Sequence, residues 1–237
     1  DPSGITALHL SAVSMSSDRC RLLLNAGAYI DSRVFDLLAV DLAFLFMNIP
    51  AAAILKLSGD MFKSALRGDL SQLEKYLSRG AIVNCQRSDE GTLLMSMTDV
   101  PFTLYVILIL RYEPDYQIKD RKGLTALHHA VKHKNYLTLV MFLKKWGIDE
   151  LFTDGDHNID KLIRICEEST VDDWMMEGEM LAVLEAWKTV YEQTGKEALE
   201  KLINSHFYDY IGFASVMFKF GWRKALQFFR QSGTSLY

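Results

Sequence analysis

One string of residue types occurs twice in this chain and constrains its fold more than any other feature. Residues 4–12 read Gly-Ile-Thr-Ala-Leu-His-Leu-Ser-Ala, and residues 123–130 read Gly-Leu-Thr-Ala-Leu-His-His-Ala. In both copies a Gly stands at a turn, and a Thr follows it where its hydroxyl can cap a short helix. The repetition therefore predicts the same local structure, a turn followed by a short helix, at both places in the chain.

Residues 1–33 resemble one ankyrin repeat, because the first string is followed by Leu-Leu-Leu-Asn-Ala-Gly-Ala over residues 22–28 and then by Asp31. The resemblance implies an all-α fold, an ankyrin-repeat solenoid of helix-turn-helix units with a helical C-terminal extension. It also implies that His9 and His128 share hydrogen bonds with the neighbouring Thr and the backbone. The residues that carry this repeat signature are Gly4, Thr6, Leu8, His9, Gly27, Gly68, Gly80, Gly123, Thr125, Leu127, His128 and Gly147.

The 33-residue length of an ankyrin repeat, applied along the sequence, divides the chain into three segments. Residues 1–59 hold one clear and one degenerate repeat, and residues 60–150 hold a unit resembling the start of an array, followed by two repeats. We expect Gly59 to end a helix, and a loop or an unrecorded segment between residues 59 and 60 is left open. Residues 151–237 are the helical extension, either degenerate repeats or a separate domain. Because the chain begins on the first residue of a repeat, we expect it to be part of a longer protein.

Composition argues against several classes of function. A net charge of −4 disfavours a general nucleic-acid binder. Three cysteines without a CxxC pair indicate a reducing compartment, so we expect an intracellular protein, cytoplasmic or alternatively nuclear. The apolar stretch from Leu37 to Leu57 is long enough to span a bilayer, but it contains Asp41 and Lys56. Two buried helices joined by a turn at Asn48–Pro50 explain it better than a membrane span.

No constellation of side chains predicts catalysis, a metal or a cofactor. Oxygen donors alternate from Asp154 to Asp160 as in a calcium loop, but Ile159 and Ile165 replace its essential Gly and Glu. A solvated turn that caps a helix with Asn158 is the preferred interpretation. His129 and His133 suggest a zinc site, yet no nearby carboxylate or Cys in the sequence completes it. We therefore expect neither an enzyme nor a cofactor.

The resemblance implies that partner proteins bind on the concave side, through hairpin tips and the outer faces of the first helices. The matching positions are Ser3, Ile5, Leu10, Val13 and Ser14, then Ser88, Asp89, Ser96 and Asp99, and finally Arg121, Lys122, Leu124, His129, Lys132 and His133. The last group is basic and would suit an acidic partner segment, although a merely solvated charged edge is the alternative. The aromatic, mildly basic residues after Ser205 favour packing on the core or a partner over nucleic-acid or membrane binding.

The predicted function is protein–protein recognition, as a scaffold or adaptor within a larger assembly. The alternative is a cytosolic regulatory part of a larger enzyme or membrane channel whose chemistry lies outside these residues. An enzyme site within the C-terminal helices has only weak support. The fold does not identify the partner, because proteins that share one fold bind many unrelated targets.

Overall fold

Short helices account for most of the chain in the computed structural model, which describes residues 4–14, 16–89, 91–98, 103–153, 155–169 and 179–204. The chain divides into two compact units, Asp1–His133 and Lys134–Tyr237. The helices of the first unit are α1 (Ala7–Val13), α2 (Ser17–Asn25), α3 (Ala39–Leu45), α4 (Ile49–Leu66), α5 (Leu70–Ser78), α6 (Leu93–Met97), α7 (Thr103–Leu110) and α8 (Ala126–Lys132). The second unit contains α9 (Tyr136–Trp146), a 3-10 turn (Asp149–Phe152), α10 (Ile159–Glu168), α11 (Glu179–Thr194) and helical backbone over residues 196–204. The predicted all-α class is confirmed.

Polar side chains fix where many of these helices begin. The hydroxyl oxygen of Thr6 accepts from the N–H of His9, and that of Thr92 accepts from the N–H of Met95. These bonds satisfy N–H groups that have no partner within the helix. α2 begins after Ser16, whose side chain makes no capping hydrogen bond, and α3 begins after Leu38, whose side chain has no acceptor. At the start of α3 the carboxylate of Asp41 instead accepts the N–H of Leu38 at 2.9 Å.

Two short hairpins lead into first helices. Strand β1 (Arg33–Val34) pairs antiparallel with β2 (Leu37–Leu38), and β3 (Gln86–Arg87) pairs with β4 (Gly91–Thr92). The first hairpin turns at Phe35 and Asp36, which adopt φ values of 48° and 63°. Asn-Gly is the favoured pair in such turns, because left-handed backbone is costly for a bulky side chain. Arg33 braces the turn by donating from Nη1 to the carbonyl oxygen of Asp36 at 2.7 Å.

Residues 49–66 form one continuous helix across the boundary that the sequence predicts between residues 59 and 60. The prediction that Gly59 ends a helix is wrong. Buried residues continue at helical spacing on both sides of Gly59, from Leu55 to Phe62 and Ala65, and Gly59 has no left-handed backbone. α4 packs against α2 and α3 and also against α5. One helix thus belongs to two consecutive helix pairs.

The core of the first unit follows the repeat pattern. α1 packs against α2 and α3, and α6 packs against α7 and α8. Small and branched residues such as Ala12 and Leu24 fill these contacts without measurable exposure. The turn after α7 lacks Gly, and Glu113 supplies its left-handed backbone with a φ of 50°.

The apolar stretch from Leu37 to Leu57 is only partly buried. It forms α3 and the first half of α4, and Asn48 caps α4 as a turn at that position requires. However, the four consecutive residues Phe44, Leu45, Phe46 and Met47 are exposed, so the expectation of two buried helices is wrong for this segment. No helix in the described part of the chain is long and apolar enough to cross a membrane.

The second unit has a core of its own. α10 packs against α11. Ile159, Leu162 and Cys166 are buried on α10, as their spacing predicts, and Leu184 and Trp187 are buried on α11. Asn158 caps α10 by accepting the N–H of Asp160. All three cysteines are buried free thiols, and burial raises the pKa of Cys85 to about 12. The aromatic segment after Ser205 lies outside the described residues, as do Ser3, Asp99 and Asp154.

Candidate partner-binding surface

Three loops of the first unit are hydrogen-bonded to one another, and we call residues 27–31, 84–88 and 115–121 the loop seam. The N–H of Gln86 donates to the carbonyl oxygen of Ala28 at 3.2 Å, and its own carbonyl accepts the N–H of Ile30 at 2.8 Å. The side-chain amide of Gln86 donates to the carbonyl oxygen of Lys119 at 3.1 Å. Residues far apart in sequence are thereby fixed in one rigid group of loops.

Asp31 anchors the predicted contact residue Ser88 within the loop seam. Its carboxylate accepts the main-chain N–H of Ser88 at 2.9 Å and the Ser88 hydroxyl at 2.5 Å. Asp89 is exposed, but its carboxylate pairs with Arg87 at 3.1 Å. The main-chain N–H and the hydroxyl of Ser88 therefore bind another loop of the chain.

Gly27 allows the loops to approach closely. It adopts a φ of 81°, and a Cβ atom added there would lie 2.9 Å from Nε2 of Gln86 and 3.2 Å from Cγ2 of Ile118. A side chain at this position would combine backbone strain with a clash in the loop seam.

Asp120 organises the turn that carries the basic residues. One carboxylate oxygen accepts the N–H of Lys122 at 2.8 Å and the N–H of Leu124 at 2.9 Å. The N–H of Gly123 donates to the carbonyl oxygen of Asp120 at 3.0 Å. Arg121 and Lys122 are exposed at the tip of this turn. We call these two residues the basic tip.

Arg121 is further fixed by an aromatic ring from another loop. Its guanidinium carbon lies 5.0 Å from the centroid of the Tyr29 ring. This is within the range of a cation–π contact, which favours one position of the guanidinium over the many open to a free arginine. The basic tip therefore has an ordered main chain and one ordered side chain.

The two histidines predicted at this surface are bound to the chain itself. Nε2 of His129 lies 2.9 Å from the second carboxylate oxygen of Asp120, and both side chains are largely buried. Nδ1 of His133 lies 3.2 Å from the hydroxyl of Thr98, and the two imidazole centroids are 5.7 Å apart. Leu124 and Lys132 are half-buried. Arg121 and Lys122 are thus the fully exposed members of the predicted basic group.

The pKa of Asp120 reflects this environment. Burial raises the pKa, but the N–H of Leu124, the ring of His129 and the N–H of Lys122 outweigh burial and hold it below the usual range. Each of these groups favours the charged carboxylate. The turn is therefore most stable when Asp120 is ionised.

Sequence reasoning missed Asp120 and Tyr29. A local signal for Asp120 exists, because Asp three residues before Gly123 is typical of a turn in which the carboxylate binds the following N–H groups. Tyr29 has no such signal, since its contact with Arg121 depends on the packing of distant loops. Within the described residues, no group of three His, Cys, Asp or Glu side chains is arranged to hold a metal ion.

The hydrogen bonds that the resemblance implies for the repeat histidines are present. The N–H of Thr6 donates to Nδ1 of His9 at 3.1 Å, and Nε2 of His9 lies 3.0 Å from the carbonyl oxygen of Ser32. The N–H of Thr125 likewise donates to Nδ1 of His128 at 3.0 Å. Both histidines thus bind the residue at the start of their own helix, and His9 also joins that start to the adjoining loop.

Comparison with known protein families gives one result. The family model for the ankyrin repeat matches residues 3–34, which span α1, α2 and the chain as far as β1. No curated protein sequence matches the chain significantly. The matched segment contains the Thr6–His9 bonds, and the same bonds recur at Thr125 and His128. This match identifies residues 3–34 as an ankyrin repeat, and the helix pairs that follow them fit an all-α repeat solenoid.

Proposed function

We propose that this protein is a scaffold or adaptor that uses the basic tip, Arg121 and Lys122, to bind an acidic segment of a partner protein. Ankyrin repeats are generally protein–protein interaction modules and typically lack enzymatic activity. The observation that supports the tip as the contact is its order, since Asp120 fixes the main chain and Tyr29 contacts Arg121. Lys132, on the helix that follows, is a flanking contact in this proposal.

An ordered cation binds more effectively than a mobile one. Immobilising a long side chain on binding costs about 0.5–1.5 kcal/mol, and part of that cost is already met for Arg121 before the partner arrives. The guanidinium can also bind a carboxylate with two parallel hydrogen bonds. These properties support a binding role for the tip over an ordinary solvated charged edge.

The test is charge reversal at the tip with a matched reversal elsewhere. We expect Arg121→Glu combined with Lys122→Glu to abolish capture of the partners that the parent protein retains. Arg67→Glu combined with Arg79→Glu changes the net charge equally at exposed cations outside the tip and should preserve capture. The captured proteins are identified and compared by quantitative mass spectrometry. Equal capture by the tip variant and the parent would exclude the tip as the binding surface.

We also propose an intracellular, cytoplasmic location. Three buried free thiols, Cys20, Cys85 and Cys166, support it because free cysteines persist in reducing compartments. Fluorescence microscopy of the tagged protein tests this assignment.

A further inference from the structure

The helices α1, α3, α6 and α8 are each the first helix of a pair. They can be compared position by position when residues are counted from the one that precedes each helix. The preceding residues are Thr6, Leu38, Thr92 and Thr125. The sixth residue after them is Ala12 in α1, Thr98 after α6 and Val131 in α8, and these are 0%, 1% and 0% exposed. The equivalent residue of α3 is Phe44, which is 48% exposed. A position that three units bury is therefore open in α3, and a large aromatic ring occupies it.

Neighbouring apolar side chains are exposed as well. Leu45 follows Phe44 and is 68% exposed, and Phe46 and Met47 are also exposed where α3 ends. Asp41 lies three residues before Phe44 and four before Leu45, so the three side chains share one face of the helix. Asp41 is exposed too, whereas His9 and His128 are buried at the equivalent position. We call Asp41, Phe44 and Leu45 the α3 face.

Soluble proteins rarely expose several adjoining large apolar side chains without a use for them. On the other first helices, the equivalent position is covered by packing within the protein. The α3 face thus has the composition of a packing surface in an exposed location.

We propose that the α3 face binds one amphipathic helix of a partner protein, with an apolar side that covers Phe44 and Leu45 and with flanking lysine or arginine residues. The charge around the face supports the basic flank. Asp36 and Asp41 are exposed, and neither carboxylate forms an ion pair within the described residues. The neighbouring cation, Arg33, donates to the main-chain carbonyl of Asp36 and keeps its charge. Residues 33–47 therefore carry two acidic side chains and one basic side chain, and this net charge of −1 complements a cationic helix.

The probe is a synthetic 18-residue helical peptide with leucine and alanine on one side and lysine elsewhere, of about five helical turns. Its control keeps the apolar side and replaces every lysine by glutamate. We expect the basic peptide to bind the full chain at least tenfold more tightly than the acidic one, measured by fluorescence anisotropy at physiological salt. Phe44→Ala combined with Leu45→Ala should weaken that binding at least tenfold.

Two control variants separate this site from other effects. Leu22→Ala removes an equally exposed apolar side chain from α2 and should leave peptide binding unchanged. The variant that combines Arg121→Glu with Lys122→Glu should also bind the peptide as tightly as the parent does. The proposal for the α3 face and the proposal for the basic tip are therefore tested independently. Leu45→Glu alone is a second test, because a 68% exposed side chain can be replaced without loss of the fold. Hydrogen exchange should slow over residues 39–47 when the peptide binds.

Several outcomes would overturn the proposal. Equal binding by the parent and the Phe44→Ala/Leu45→Ala variant, or the absence of binding, would exclude the α3 face as a helix site. Equal affinity for the acidic peptide would exclude the assigned charge. A parent protein that dimerises in sedimentation analysis, with a monomeric double variant and no competition by the peptide, would make a second copy the occupant. Binding of the parent but not the double variant to anionic vesicles, with no peptide binding, would make lipid the occupant.

Discussion

The carboxylate of Asp120 illustrates how single side chains shape this protein. It accepts the N–H groups of Lys122 and Leu124 and contacts the ring of His129, so one residue holds both the turn and the start of the following helix. Gly27 acts in the opposite sense, because the absence of a side chain lets two other loops approach. Both effects can be tested by conservative substitutions.

Asp120→Asn keeps an oxygen acceptor but removes the charge. The folded-state pKa of Asp120 lies below its unfolded value, so the stabilisation by the ionised form is complete above the unfolded pKa, about 4. It is lost as the pH falls through the lower folded pKa. We expect the variant to be less stable than the parent by about 1 kcal/mol at pH 7, and this difference to shrink as the pH falls below the unfolded pKa of Asp120. Urea unfolding at pH 7 and at a series of lower pH values measures this, and a difference that does not change with pH would contradict it.

Replacing glycine tests the loop seam. Gly27 and Gly147 have φ values of 81° and 93°, but an added Cβ meets close atoms only at Gly27. We therefore expect Gly27→Ala and Gly147→Ala both to destabilise, by roughly 1–3 kcal/mol, with the larger loss at Gly27. Chemical denaturation of the two variants beside the parent gives the comparison. A larger loss of stability at Gly147 than at Gly27 would show that close packing around Gly27 in the loop seam contributes little to stability.

At the scale of secondary structure, the sequence predicts the helix starts well. Thr6 and Thr125 identify helices because capping and apolar spacing are local properties, visible in a few adjoining residues. The continuity of α4 was not predicted, because a glycine that ends a helix and one that lies within it look alike in sequence. The backbone of Gly59 is decided by tertiary packing on both sides of it.

The exposure of α3 was missed for a related reason. Apolar spacing indicates which residues can be buried, but not whether a neighbouring helix covers them. Phe44 and Leu45 satisfy the pattern of a buried helix and are nevertheless exposed. At the candidate site, Arg121 and Lys122 could be predicted from the repeat pattern, whereas the Tyr29 contact and the Thr98–His133 bond depend on long-range packing.

Gly59 offers a test of α4. Its backbone is not left-handed, and no atom lies within 4 Å of an added Cβ. Alanine at this position should therefore stabilise the protein by roughly 0.5–1 kcal/mol, since glycine weakens a helix interior. Gly68→Ala is the matched control and should destabilise, because Gly68 has a φ of 75°. Thermal unfolding ranks the variants, and destabilisation by Gly59→Ala would indicate that a helix ends there.

The chain as a whole is acidic, with 26 Lys and Arg against 30 Asp and Glu. The basic tip is therefore a local exception, and the overall charge does not favour an acidic partner at long range. The two proposed surfaces also differ in chemistry, since one is cationic and the other is apolar with an acidic border. Added salt should therefore weaken binding at the cationic surface more than binding at the apolar one.

Exposed charges are screened beyond about 8 Å at physiological ionic strength and about 3 Å at 1 M, whereas apolar contacts are not. We expect partner capture through Arg121 and Lys122 to fall at least tenfold between 50 mM and 500 mM salt, mainly through slower association. Binding of the basic peptide to the α3 face should decrease less over the same range. Surface plasmon resonance with a salt series measures both rates, and a salt-independent association rate would argue against the tip.

The shared helix α4 has a consequence for how the first unit unfolds. In ordinary repeat arrays each unit is a separate thermodynamic element coupled to its neighbours by interfaces, so ends can fray one unit at a time. Here the pair of α3 with α4 and the pair of α4 with α5 have eighteen residues of helix in common. Breaking α4 in the middle would require a new, costly helix end. The two pairs should therefore open as a single cooperative block, which interrupts stepwise fraying at this point of the array.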